Sequence, residues 1–194
     1  MAERILPRAF YNRSPEVVAS DLLGKLLVRH LDGQRLSGRI SEVEAYLGLD
    51  DPASHAFTGK TARNAVLFGP PGVAYVYMIY GMHYCLNVSC LPDGVAGGVL
   101  FRAILPVEGV QTMAQLRGLS PTASPKQLTG GPGRLCEAMG ITRDNVNSLD
   151  FTKSSSTLQI RDDGFVPRKI LTTARIGIRK AADLPLRFLL EADA

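Results

Sequence analysis

Asp32-Gly33 sits between two runs of strand-forming residues, Lys25 to His30 and Leu36 to Tyr46. Such a pair supplies the positive φ angles of a two-residue hairpin turn, so the two runs are predicted to lie antiparallel. A second hairpin is predicted from Ala74 to Ile79 and His83 to Cys90 around Tyr80-Gly81-Met82, whose tip is bulky where a turn is normally polar. Gly98 to Ile104, Thr157 to Arg161, Ala174 to Ile178 and Leu186 to Leu190 read as further strands. Ser14-Pro15 reads as the cap and first turn of a helix that Gly24 ends. Val107 to Arg117 and a short segment from Gly130-Gly131-Pro132-Gly133 through Met139 read as helices. Strands and helices do not alternate. The pattern therefore predicts an α+β fold, one domain over residues 1–194 with an antiparallel sheet and peripheral helices.

Several classes of function are disfavoured by what the chain carries. Hydrophobic residues make up 45% and charged residues 21%, which is ordinary for a globular protein and wrong for a disordered or collagenous one. No apolar run approaches the ~18 residues of a membrane span, and Glu3 and Arg4 stand where a signal peptide would be apolar. A cytoplasmic protein without membrane contact is expected. Cys85, Cys90 and Cys136 form no C-x-x-C pair, and His30, His55 and His83 show no metal-ligand spacing. Buried thiols and no metal are expected. The glycine clusters at Gly69 to Gly72 and Gly130 to Gly133 lack the Lys-Ser/Thr of a phosphate loop, so no nucleotide cofactor is expected.

The net charge of +4 suits a polyanionic partner, and its distribution is more telling than its size. From Pro52 to Pro92 there is no Asp or Glu, while Lys60, Arg63, Tyr75, Tyr77, Tyr80 and Tyr84 all fall within it. The loop that opens this stretch, Asp50 to Gly72, is longer than a plain connection and reads as a binding wall. Glu42 and Glu44, two apart on one strand, share a face with Tyr46. Taken alone they suit a solvated strand face. Arg102, a lone charge in an apolar strand, needs a partner, and beside it a carboxylate stays ionised and can activate water. An aromatic wedge on a turn, as at Tyr80, suits entry into a duplex and replacement of an extruded base.

Several ordered motifs resemble the alkyladenine (3-methyladenine) DNA glycosylase family of the mammalian type. They are Glu44-Ala45-Tyr46-Leu47-Gly48, Ser54-His55-Ala56, Thr61-Ala62-Arg63-Asn64, Tyr75 to Met82, Cys85-Leu86-Asn87-Val88, Leu100-Phe101-Arg102-Ala103, Gly131 to Cys136 and Ala174 to Ile178. The resemblance spans nearly the whole chain and is thinnest from Asp144 to Pro167. It implies a curved antiparallel sheet like that of a formyltransferase C-terminal domain, without a helix-hairpin-helix. It implies further that Glu44 activates water and Arg102 helps position it; that Tyr46, His55 and Tyr77 sandwich a flipped base; that Asn87 lies on the pocket floor; and that Tyr80 intercalates. Met82, His83 and Arg63 would touch DNA, and His83 stands where some relatives carry another aromatic. Lys60, Arg134 and Arg175 are further candidates for phosphate contact. The partner would be double-stranded DNA bearing alkylated or deaminated purines, bound by a monomer at the nucleoid if the cell is bacterial, with base release and no strand cleavage. The alternatives are a non-catalytic damaged-DNA binder of the same fold, a carbohydrate hydrolase using Glu42 and Glu44, and a formyltransferase-related domain.

Overall fold

Asp32 and Gly33 take φ of 49° and 77°, the mirror-image turn that matches strand twist. The strands beside them pair from Leu26↔Arg39 to Leu31↔Gln34. The computed structural model describes residues 3–191. In chain order its elements are β1 (Arg4–Ile5), α1 (Arg8–Tyr11), α2 (Pro15–Leu22), β2 (Leu26–Leu31), β3 (Gln34–Tyr46), β4 (Ala74–Ile79), β5 (His83–Ser89), β6 (Gly98–Glu108), α3 (Val110–Leu116), α4 (Pro125–Thr129), α5 (Pro132–Ala138), α6 (Arg143–Val146), β7 (Leu158–Asp162), β8 (Ile170–Thr173) and β9 (Arg187–Leu190). Every pairing is antiparallel, in the order β1-β7-β2-β3-β6-β5-β4, with β9 joining β3 to β8. The sheet curls into a half-barrel with helices packed against it, an α+β fold. No helix among the described residues is long and apolar enough to cross a membrane.

The thirteen-residue β3 organises the site because it changes one neighbour halfway along. Gln34 to Arg39 pair with β2 on one side, whereas Glu42 to Glu44 pair with β9 there, and β6 lines the other side from Ser37 to Tyr46. Between Ile40 and Val43 the β3–β6 ladder slips: Ser41 and Arg102 are left without a Cα partner. A bulge re-aims the side chains around it. This one turns Arg102 towards the carboxylates of β3.

Apolar side chains from α2, β2, β3, β5, β6 and α5 fill the main core, with Val18, Leu22, Leu27, Ile40, Val43, Leu86, Phe101 and Leu135 all inaccessible. The three cysteine thiols are buried and free, as expected. A smaller cluster of Ala56, Leu67, Phe68, Tyr75 and Ala96 lies under the long 50–72 segment and holds it to the sheet. Asn64 closes that segment by donating to the carbonyls of His55 and Gly59 at 2.8 and 3.0 Å. Gly48 has φ 72°, and a Cβ there would stand 1.9 Å from the Ala96 carbonyl oxygen, so only glycine lets the segment start where it does.

Three expectations are corrected. Residues 174–178 are a loop, with the strand just before them at β8. β6 continues through Val107 to Glu108, because its end pairs with Ser37 and Gly38, and α3 starts only after Gly109 at φ 74°. The apolar positions of the predicted helix and strands give a core of Leu22, Leu26, Ile40, Val76, Met78, Val88, Leu100 and Ala103; six of these are buried, but Ala103 is half-buried and Met78 is 42% exposed near the hairpin tip.

Candidate active site

The bulge leaves Arg102 between two carboxylates. Its Nε donates to Glu42 Oε1 at 2.8 Å, and its Nη1 lies 3.2 Å from Glu44 Oε1. From β9, Arg187 Nε donates to the same Glu42 oxygen at 2.7 Å. Burial pushes the Glu42 carboxyl up, but the hydrogen bonds from Arg187 and Arg102 outweigh it and hold the group below the usual carboxylate range. Burial likewise favours the neutral form of Arg102, and the charges of Glu44 and Glu42 reverse the effect, so its guanidinium stays charged.

Glu44 is fully inaccessible and accepts from three directions. Besides Arg102, the Ile176 backbone N–H donates to Oε1 at 2.8 Å, and the Tyr46 hydroxyl donates to Oε2 at 2.9 Å. Burial and the adjacent Glu44 charge hold the Tyr46 phenol above its ordinary value, so it remains a donor. The Ile176 bond exists because 174–178 is a loop.

The three groups that hold this carboxylate, Tyr46, Arg102 and Ile176, line a cavity of about 400 Å³ whose walls also include His55, Tyr75, Tyr77, Tyr80 and Asn87, with Glu44 itself behind them. Alternation along β4 and β5 puts Tyr75, Tyr77, Cys85 and Asn87 on this face and Val76, Met78 and Tyr84 on the other. The His55 and Tyr77 rings meet edge to face at 4.4 Å, and His55 Nδ1 shares a 3.0 Å hydrogen bond with the Tyr75 hydroxyl. Burial and the nearby Arg63 guanidinium lower the His55 pKa, so the ring is neutral near pH 7 and adds no positive charge to the cavity. Asn87, 6% exposed, has its amide fixed by donating to the Tyr75 carbonyl at 3.2 Å.

Tyr80 stands at the rim, 84% exposed, and takes φ of 51° in a turn with Gly81 at 68°. An aromatic residue with left-handed backbone is strained, and a large apolar ring in water is unfavourable; both costs fall at one residue beside the cavity. Met82 is 68% exposed on the same turn.

Glu44, Tyr46, His55, Tyr77, Tyr80, Asn87 and Arg102 are thus brought together, while the other candidates do not line the cavity. His83 turns from the tip to Glu137, its Nδ1 3.1 Å from Oε1, and Arg117 binds the same carboxylate. Arg63 is exposed behind Tyr77 in a separate groove with Met78, Tyr84 and Arg143. Arg175 is no phosphate contact: it is buried and ion-paired with Asp51. Arg134 is exposed, donating to the carbonyls of Lys126 and Gly130, and Lys60 is exposed on the long segment. Asp51, Tyr75, Ile176 and Arg187 were not foreseen as parts of the site. Only Tyr75 carried a local signal, its two-residue spacing from Tyr77. Among the described residues no cluster of His, Cys, Asp or Glu could hold a metal ion.

This is a site shaped for a planar ring, held by aromatic walls against a buried, arginine-paired carboxylate. Comparison with known proteins supplies the class. Residues 9–194 match the family model described as methylpurine-DNA glycosylase. Three proteins each named "Putative 3-methyladenine DNA glycosylase" are similar over most of their length. The one from Koribacter versatilis is 58% identical, covering 95% of this chain and 88% of its own. Those from Methanoculleus marisnigri and Alkaliphilus oremlandii are 49% and 46% identical, each covering 96% of this chain and 95% of its own. The chain belongs to the methylpurine-DNA glycosylase family, and so is a DNA glycosylase, a hydrolase of N-glycosyl compounds.

Proposed function

We propose that the protein binds duplex DNA, extrudes an alkylated or deaminated purine into the cavity, and hydrolyses its bond to deoxyribose with water activated by Glu44. The observation that carries this reading is the inaccessible Glu44, held by Arg102, Tyr46 and Ile176 at the back of an aromatic cavity whose rim bears the exposed Tyr80. In the reaction the water oxygen bonds to C1′ and its proton passes to Glu44. The C1′–N bond breaks, and its electron pair leaves with the purine. Positive charge builds on the sugar as this happens, and a fixed carboxylate stabilises it. A purine alkylated at N3 or N7 is cationic and departs neutral, so it needs no acid. A neutral deaminated purine needs a hydrogen bond or proton as it leaves.

Stacking on Tyr46, His55 and Tyr77 contributes ~1–3 kcal/mol per base, and a cationic ring over an aromatic face adds about 0.5–2 kcal/mol. Asn87, its amide fixed, is placed to discriminate among purine edges on the floor. The product of this reaction is an abasic site in an intact strand, because water and not an amine is the attacking nucleophile. Met82 joins Tyr80 against the duplex. Arg63 contacts a phosphate from its outer groove.

Release of free base from duplexes carrying 3-methyladenine, 7-methylguanine, hypoxanthine or ethenoadenine tests the reading. Release without strand scission is expected for at least the cationic lesions. Tight binding to abasic DNA without release of any base would make the protein a damage binder. Tyr80→Ala separates flipping from chemistry. Losing the wedge should slow release by about 10-fold or more, matching the few kcal/mol that unstacking costs, and should weaken binding to abasic duplex. Because the Tyr80 ring is exposed and alanine keeps the same Cβ and left-handed backbone, its loss should leave the thermal midpoint unchanged. A variant that extrudes and releases base like the parent would remove Tyr80 from the wedge role.

A further inference from the structure

Behind the cavity wall lies an ion pair that the chemistry above does not use. The side chains of Arg175 and Asp51 are both fully inaccessible, with Nη1 and Nη2 donating to the two carboxylate oxygens at 2.5 and 2.9 Å. Nη1 also donates to the Ala45 carbonyl at 3.1 Å, and Nη2 to the Ala181 carbonyl at 3.3 Å. Asp51 in turn accepts from the backbone N–H groups of Leu47 and Ala53 at 3.2 and 3.0 Å. One guanidinium therefore ties together the end of β3, the turn after it and the loop after β8. It also lies over the Tyr46 ring, 4.6 Å from its centroid.

The residues it holds are those that hold Glu44. Ile176, next in the chain to Arg175, donates to Oε1, and Tyr46, under the guanidinium, donates to Oε2. Stability does not account for so costly a device, since a buried ion pair is commonly matched or bettered by apolar residues of similar volume. Here the guanidinium Nε is moreover buried without a hydrogen-bond partner among the described residues. What an apolar pair would lose is the fixed direction of the hydrogen bonds.

We propose that Arg175, held by Asp51, is a positioning residue for base release: it fixes the Ile176 N–H and the Tyr46 hydroxyl on Glu44, and so aims the carboxylate at the reacting sugar. Arg175 lies behind Tyr46 and does not touch the base. The inference rests on the role proposed for Glu44.

The test compares the parent with the Arg175→Met/Asp51→Leu double variant and with Arg175→Lys. Single-turnover release of 7-methylguanine from a duplex is measured beside affinity for the same duplex carrying a tetrahydrofuran abasic analogue. The double variant should fold and bind the analogue as the parent does, yet release base about 10–100-fold more slowly, the loss that a misplacement of about 1 Å produces. Arg175→Lys, which keeps the charge and one hydrogen bond to Asp51, should recover part of that rate. Release within twofold of the parent, or a fall in binding and release by the same factor, would assign the pair to the fold alone and overturn the proposal. If the double variant does not fold, Arg175→Lys is read by the same criteria, slowed release at unchanged affinity supporting the proposal. A parent that binds the analogue and releases nothing counts against the glycosylase reading itself, and is seen before any variant is compared.

Discussion

Glu44→Gln is expected to abolish detectable base release while leaving the fold and the affinity for abasic DNA unchanged. The amide occupies the space of the carboxylate, its oxygen still accepts from the Ile176 N–H, and the Tyr46 hydroxyl rotates to accept from the new NH2. Arg102 is not left as a lone buried charge, because Glu42 remains 2.8 Å away with Arg187 beside it. Stability should thus change little, unlike the usual removal of one partner from a buried pair. Only the charge and the proton acceptor are lost. Removal of a general base costs about 10²–10⁴-fold, and the loss of negative charge opposite the developing positive sugar adds to it. Single-turnover release at saturating enzyme measures this. Activity within tenfold of the parent would exclude Glu44 as the base and point to Glu42, the other carboxylate on Arg102.

Features that depend on backbone chemistry at one or two residues were legible in the sequence. Asp32-Gly33 marks the first hairpin because both positions of its turn need positive φ. The second is legible from the strand-forming runs on either side of Tyr80-Gly81-Met82, although Tyr80 at φ 51° is a residue that turn chemistry argues against. From the hairpins follows the antiparallel sheet. The lone charge at Arg102 rightly demanded a partner, and the two-residue spacing of Glu42 and Glu44 supplied it. The assignment of Tyr46, His55 and Asn87 to one site came from the family resemblance, since no spacing joins residues from β3, the long segment and β5. The misreadings share a cause in distant contacts. Residues 174–178 have the apolar composition of a strand, but Arg175 is drawn into the interior by Asp51, 124 residues away, and the loop takes its shape from that bond. Val107 suits a helix, yet pairing with β3 holds it in β6. Met78 continues the alternation of Val76, but the hairpin there projects beyond the core it would have entered. The family resemblance places His83 against DNA, and in the structure its Nδ1 lies 3.1 Å from the carboxylate of Glu137 on α5.

The largest single loss of stability at the site is expected from Asp51→Leu. It leaves the Arg175 guanidinium inaccessible and without its countercharge, a change that typically costs about 3–5 kcal/mol. Urea unfolding near pH 7 measures it, and adding Arg175→Met should restore most of the loss, because the charge is then gone as well. The deficit also depends on pH. Burial pushes the Asp51 carboxyl up, but the hydrogen bond from Arg175 and those from the Ala53 and Leu47 N–H groups outweigh it and leave the pKa below the usual range. A carboxyl depressed in the folded state contributes its stability in full above its unfolded value of about 3.9, and loses it as the pH falls through the folded value. The parent carries this contribution and the variant does not. The gap between them should therefore be constant from pH 7 to about pH 5 and narrow below about pH 4. Glu42, Asp150, Asp162 and Asp163 are also held low, so both proteins weaken in acid, and the narrowing of the gap isolates Asp51. An equal deficit at pH 7 and pH 3 would mean that the leucine side chain destabilises by its shape, and no deficit at pH 7 would mean that the pair contributes nothing to folding.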